Sequence, residues 1–226
     1  MNRNQNPERD GASFGEAELS ALRNRVGQGM SPKRLIHTLA VEQMTARLCA
    51  LYCPEETDLL RAAALLHDIT KELKTEEQLS LCRELGVPVA PGDELAPKCF
   101  HARTAAALIP RKYSAFDHPV VVAAVRWHTT GHEGMTLTEK LVYLADYIDE
   151  SRTFPDCVAL RNLFWDAHPE DMAPEERLIH LNRVLIASFD MTVRNLVAEG
   201  QIISPDTVMA RNDLIRQSVQ AGDGVQ

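Results

Sequence analysis

The chain is poor in the residues that mark most specialised architectures. Aromatic residues make up only 5% of its 226 positions, and its 12 prolines and 11 glycines are scattered, which excludes collagen-like and low-complexity chains. Its five cysteines, Cys49, Cys53, Cys82, Cys99 and Cys157, are odd in number and contain no Cys-x-x-Cys, so neither a disulfide framework nor a cysteine-based zinc site is expected. The longest unbroken apolar run, Val120 to Val125, is far short of a membrane span. The opening MNRNQNPERDG lacks the apolar segment of a secretory signal. Positive charge is also in deficit: 24 Lys and Arg against 32 Asp and Glu give a net charge of −8, which argues against broad binding to nucleic acid or anionic lipid. What remains is 45% apolar and 25% charged, the composition of a soluble globular protein, expected in the cytoplasm.

The apolar pattern has helical spacing almost throughout, with no alternating strand pattern and no internal repeat. A polar tail is expected over residues 1–15, one domain over 16–220 and a short tail over 221–226. Ser31-Pro32 reads as a helix cap followed by Pro at the first helical position, opening a helix to about Tyr52. A buried helix is expected from Glu55 to Lys71 and a short one from Thr75 to Leu85, stopped by Gly86. Residues 87–97 read as a loop. Further helices are expected over Phe100–Ile109, Pro119–His128, Thr138–Glu150, Cys157–Trp165, Glu175–Glu199 and from about Pro205 to Val219. The fold class is all-α.

Among eight histidines, His118, His132, His168 and His180 read as ordinary surface or satisfied residues. His67 does not. It follows the apolar stretch Ala62-Ala-Ala-Leu-Leu66 and precedes Asp68, so two titratable groups fall where burial costs several kcal/mol unless they are paired or bound to metal. Mutual hydrogen bonding or helix capping would also satisfy them. The remaining candidates, His37, His101, His128 and Asp146, each fall in a separate expected helix or at a helix end. Helical bundles build metal sites from such inward side chains. A mixed imidazole and carboxylate set suits iron, manganese, cobalt or zinc better than magnesium or calcium.

The His…His-Asp…Asp order resembles that of HD-domain metal-dependent phosphohydrolases. The flanking motifs narrow the likeness: Arg34-x-x-His37, Leu65-Leu-His-Asp-Ile-Thr-Lys71, Trp127-His-Thr-Thr-Gly131, Glu139-Lys-Leu-Val-Tyr-Leu-Ala-Asp-Tyr-Ile-Asp149, Arg152-x-Phe-Pro155 and Pro205-Asp-Thr-Val-Met-Ala-Arg-Asn212. Together they resemble the bacterial YqeK family over roughly residues 31–215. The resemblance implies a single HD-domain helical bundle with a dinuclear site that hydrolyses diadenosine tetraphosphate symmetrically into two ADP. It implies that His37, His67, Asp68 and Asp146 hold a first iron, with manganese or cobalt as other candidates. Asp68 bridges to a second metal carried by His101 and His128.

By the same resemblance the catalytic set is Asp68, Lys71, His101 and His128. The nucleotide meets Arg34, His37, Glu72, Leu73, Lys74, Asp146 and Arg152, and the segment Ile203, Ser204, Pro205, Asp206, Thr207 and Val208 closes over it. The family commonly has His where this chain has Ser204. The implied partners are the dinucleotide and its product ADP, with no nucleic acid or membrane, and a homodimer is compatible. The competing readings are another HD-type nucleotide phosphohydrolase and a non-catalytic HD-like regulatory module.

Overall fold

The computed structural model describes residues 14–220, so residues 1–13 and 221–226 of the two expected tails lie outside the described residues. Phe14 and Gly15, assigned above to the first tail, are already ordered onto the bundle, Phe14 buried and Gly15 exposed at the helix start. The Phe14 ring is buried 4.8 Å from that of Phe116, and the Gly15 N–H donates to Glu18 at the start of the first helix.

Ten α-helices and no strand are found among the described residues: α1 (Glu16–Gly27), α2 (Pro32–Tyr52), α3 (Thr57–Leu66), α4 (Thr75–Leu85), α5 (Phe100–Lys112), α6 (Pro119–Trp127), α7 (Leu137–Ile148), α8 (Pro155–Trp165), α9 (Pro174–Ala198) and α10 (Pro205–Gln220). Local chemistry sets many of their ends. The Ser31 hydroxyl accepts from the Arg34 N–H, and Pro32 occupies the first position of α2. Thr136 and Glu139 form a reciprocal capping box on α7. Gly86 closes α4 in the left-handed conformation.

Two expected boundaries are corrected. The segment Glu55–Lys71 is not one helix: it starts with a 3-10 turn over Pro54–Glu56, and α3 stops at Leu66. Beyond it the chain runs through tight turns, with Lys71 N–H donating to the Asp68 carbonyl at 3.0 Å and Leu73 N–H to the Thr70 carbonyl at 3.2 Å. Tertiary bonds displace the helical ladder here, because Thr70 Oγ1 is taken by the His101 carbonyl (3.0 Å) and Thr104, and the Thr70 carbonyl by Gln78. In the other direction, α5 continues through Pro110 to Lys112. In the last turn a proline removes only one ladder bond, and Tyr113 N–H still reaches the Ile109 carbonyl at 2.8 Å.

The core is organised around α3. Leu59, Leu60 and the whole run Ala62–Leu66 are buried, because α1, α2, α6 and α7 surround this helix. The small Ala62–Ala64 faces admit close neighbours, and each fully buried leucine contributes on the order of 1.5–3 kcal/mol. α7 is nearly as buried, from Leu141 to Ala145 and at Ile148. α9 and α10 pack together and close the bundle against the turn after α6.

That turn has one position where only glycine fits. Gly131 has φ +61°, and a Cβ there would lie 2.7 Å from the Phe189 ring, 2.9 Å from the Met135 sulfur and 3.0 Å from the Ala210 Cβ. Left-handed strain and overpacking add, so Gly131→Ala is expected to destabilise the fold by about 2–4 kcal/mol, read as a lower midpoint in denaturant titration.

Candidate metal centre

The six candidate ligands come from five segments, and the fold brings all of them to one end of the bundle. His37 lies early in α2, His67 and Asp68 directly follow α3, His101 opens α5, His128 directly follows α6, and Asp146 sits in the last turn of α7. Three of these ends are helix C-termini, whose unpaired carbonyls and dipoles favour positive charge.

Asp68 sits at the middle and its carboxylate oxygens face different ways. Oδ2 lies 3.4 Å from His67 Nε2 and 3.8 Å from His37 Nε2, while Asp146 Oδ1 is 3.0 Å from His37 Nε2 and 3.9 Å from His67 Nε2. Oδ1 lies 3.3 Å from His101 Nε2 and 3.8 Å from His128 Nε2. One oxygen therefore faces His37 and His67 and the other faces His101 and His128, while the donor atoms of His37, His67 and Asp146, and those of His67, Asp68 and His128, each converge within 4.8 Å.

The imidazoles are oriented for ligation. Nδ1 bonds the backbone carbonyl three residues earlier in three cases: Ala64 for His67 (2.6 Å), Lys98 for His101 (2.7 Å) and Val125 for His128 (2.7 Å). A carbonyl can only accept, so Nδ1 carries the proton and the Nε2 lone pair is free to point inward. His37 and His67 Nε2 are buried without a hydrogen-bond partner. Orphaned, converging lone pairs beside two carboxylates fit a divalent cation with nitrogen and oxygen ligands.

The charges are poised for the same task. Burial opposes ionisation of Asp68, but His67, Lys71 and His101 hold its carboxyl well below the usual range. Asp146 is likewise held down against burial by Arg152 and the neighbouring imidazoles. Burial, with Lys71 and His128, pushes His101 well below its ordinary value; burial and then His67 push His128 to about 4. Anionic carboxylates and neutral imidazoles are the ligating forms. His37 goes the other way: burial lowers it, but Asp146 and Asp149 overcome that and raise it to about 9, a field that favours a cation at this corner.

Three cations border the ligands. Arg34 pairs with Asp68 and Arg152 with Asp146, and the Lys71 ammonium stands 3.1 Å from His101 Nε2. Thr129 Oγ1 lies 3.0 and 3.1 Å from the Nε2 atoms of His101 and His128. From here opens a cleft of about 570 Å³, a volume suited to a small molecule. Lys71, Thr129, Asp146 and Arg152 form its inner wall. Tyr147, Phe154, Pro155, Met191, Leu196 and Ile202 form an apolar side, and Ser204 and Thr207 close it.

Of the other sequence-derived candidates, Pro205 lines a shallow neighbouring pocket of about 40 Å³, while Ile203, Asp206 and Val208 belong to neither wall. Glu72, Leu73 and Lys74 also lie outside the cleft lining. The Glu72 carboxylate accepts from Ser31 N–H at 2.8 Å, Leu73 is part-exposed, and Lys74 N–H is taken by Glu77 at 2.7 Å. The histidines set aside are elsewhere: His118 caps α6, His132 meets Glu139 at 3.1 Å, His180 bonds the Phe164 carbonyl, and His168 is exposed.

Sequence reasoning assigned no role to Asp149 and Ser151, which sit beside His37, or to the cleft face of α8 and α9. Asp149 had a signal in its spacing, one turn after Asp146. The apolar residues on α8 and α9 had none, since exposed leucine, phenylalanine and methionine are common on helices. If Asp68 joins both donor sets, Asp68→Ala is expected to abolish metal retention altogether, measured as metal per chain by elemental analysis. Retention of one metal would restrict Asp68 to a single set.

The geometry agrees with the chain's relatives. The family model of the HD domain matches residues 34–151, from Arg34 to just past Asp149. A symmetrical bis(5′-nucleosyl)-tetraphosphatase of Bacillus subtilis is 31% identical over 193 residues, spanning 85% of this chain and 95% of that protein. One from Halalkalibacterium halodurans is 30% identical over 82% of this chain and 91% of that protein. A crystal structure from Clostridium acetobutylicum, described as a predicted HD superfamily hydrolase involved in NAD metabolism, aligns with a TM-score of 0.76 and 29% identity over 91% of this chain and all of that one. The ligand order, the helical bundle and the match along nearly the whole of these relatives lead to one assignment: the chain belongs to the HD-domain family, in the branch of the symmetrical bis(5′-nucleosyl)-tetraphosphatases.

Proposed function

We propose that the protein is a metal-dependent hydrolase that cleaves diadenosine tetraphosphate symmetrically into two ADP. The observation that carries this reading is Asp68, whose oxygens face imidazoles on two sides next to the inner end of a cleft that Lys71 and Arg152 line there and that has an apolar side. Residues 16–220 act as one catalytic domain, because helices far apart in the chain supply the ligands and the opposite wall.

His37, His67, Asp68 and Asp146 would hold the first metal and Asp68, His101 and His128 the second; the family resemblance puts iron first and manganese or cobalt next, and the nitrogen and oxygen set is compatible with each. Such metals supply Lewis acidity, lowering the pKa of water and polarising a phosphoryl oxygen. The rest is done by the chain. Arg34 and Arg152 each pair with one carboxylate oxygen and are long enough to exchange it for a phosphate oxygen. Lys71 is held beside His101 in a buried setting, where its charge acts on the transferring phosphate with little screening. The Thr129 hydroxyl can hold a proton donor or acceptor position between the two imidazoles. An adenine fits the apolar side, with Ser204 and Thr207 offering hydroxyls to its sugar. Serine in place of the histidine common in the family keeps a hydrogen-bonding group at that wall but removes an aromatic surface.

The test is chromatography of products from diadenosine tetraphosphate on protein purified without chelator, with NAD run in parallel because of the description of the clostridial neighbour. ADP as sole product supports the proposal. A mixture of AMP and ATP, or cleavage of NAD alone, overturns it. Lys71→Ala is expected to keep its metal but lose turnover by about 10²-fold, near 2.7 kcal/mol of transition-state stabilisation. An unchanged rate would remove Lys71 from the reaction.

A further inference from the structure

Three of the four inward imidazoles are oriented by backbone carbonyls, and His37 is the exception. His67 and His128 directly follow helices whose final carbonyls are free of the intrahelical ladder, and His101 opens its helix. His37 lies inside α2, where the preceding carbonyls are already engaged by the i→i−4 bonds. The orienting partner must therefore come from another element.

We propose that Asp149 is that partner, a positioning residue for His37. Its carboxylate accepts the Nδ1–H of His37, fixes the tautomer that turns Nε2 toward the first metal position, and strengthens that nitrogen as a donor. The inference rests on reading the site as a metal centre. It does not depend on which substrate is cleaved.

Asp149 Oδ2 lies 3.3 Å from His37 Nδ1. The residue is completely buried at the C-terminal cap of α7, and Oδ2 is a buried acceptor without a hydrogen-bond partner. A buried carboxylate oxygen left in that state is costly, and the His37 Nδ1–H is the nearer of the two donors within reach, Arg152 Nε being the other. Oδ1 is occupied separately: Ser151 N–H donates to it at 2.9 Å and the Ser151 hydroxyl donates to it as well. Arg161 binds the Asp149 carbonyl, and Arg152 Nε stands 3.4 Å from Oδ2. The carboxylate is thus held from both sides and aimed at the ring. Ser151 Oγ also lies 3.3 Å from His37 Nδ1. Because its proton is directed to Asp149, the hydroxyl acts there as a second, neutral acceptor and cannot supply the negative charge. A carboxylate behind a ligating histidine raises the basicity of that ligand, and loss of such a partner lowers metal affinity by about 10–100-fold.

The measurement is Mn(II) binding to metal-free protein, followed by equilibrium dialysis, for the wild type, Asp149→Asn and Ser151→Ala. Asparagine keeps the shape and removes the charge. The expected result is a 10–100-fold weaker tightest site in Asp149→Asn, a smaller change in Ser151→Ala, and a thermal midpoint of the metal-free variants close to wild type. Unchanged Mn(II) affinity in Asp149→Asn overturns the proposal, as does a lower midpoint with unchanged affinity, which would make Asp149 a purely structural cap. Should Asp149→Asn fail to fold, nitrogen-15 NMR of the wild-type histidines decides. A His37 ring protonated at Nδ1, with that proton farther downfield than those on His67, His101 and His128, supports the carboxylate partner; a His37 proton on Nε2 in the Mn-free protein at high pH overturns it. Failure of the wild type to bind any Mn(II) would sink the metal reading itself, an outcome distinct from equal binding by wild type and variant.

Discussion

Asp68 is an ionised carboxylate buried where four helix ends meet the side of α2, and the arrangement around it follows from the need to satisfy that charge. An unpaired buried carboxylate would cost several kcal/mol or take up a proton. Here it is surrounded by imidazole nitrogens on two sides, and Arg34 and Lys71 approach from the others. No single helix could supply such a shell. Segments separated by more than a hundred residues must end at the same place, which explains why α3 and α6 stop one residue short of a histidine. A helix end leaves a carbonyl for the Nδ1–H and turns the lone pair inward.

The same constraint explains how a chain of net charge −8 could attract a polyanion. Acidic residues over the surface contribute little at the bottom of a cleft, where solvent screening is weak and short-range charges dominate. Lys71 and Arg152 line the cleft and Arg34 stands nearby; Asp68 holds Arg34, Asp146 holds Arg152 and is the chief group keeping it protonated, and Lys71 stands against His101. The carboxylates thus have two tasks: they offer oxygens to a cation, and they keep guanidinium groups at the place where phosphate oxygens would arrive.

Much of this was legible in the sequence because burying a charge is conspicuous. A His-Asp pair directly after Ala62–Leu66 is visible as a conflict between neighbours, whereas His128 was legible through its place in the order of candidates and the family resemblance. The helices were legible through their spacing and caps, Ser31-Pro32 and Gly86 above all. The end of α3 was not, since nothing local in Ile69-Thr70-Lys71 breaks a helix; Gln78, His101 and Thr104 do so from a distance. The spacing of Asp149, one turn after Asp146, was visible, but its partner was not. Its role depends on α7 ending against α2, and a cap carboxylate looks the same in sequence whether it faces water or an imidazole.

The boundary of the family match separates two kinds of information. All six candidate ligands, Arg34, Lys71 and Asp149 fall within residues 34–151, whereas Arg152, Phe154, Met191, Leu196, Ser204 and Thr207 fall outside it. The shared segment carries converging imidazole lone pairs, two buried carboxylates and nearby cations. The remaining wall is built from α8, α9 and the start of α10, which contribute no ligand and are packed onto the bundle through α7 and the Gly131 turn. The candidate ligands and most of the apolar wall are thereby carried by different parts of one fold. Arg152 couples the two, because it lines the cleft from outside the matched segment and pairs with Asp146 inside it, whereas Ser204 lies on the wall that contributes no ligand.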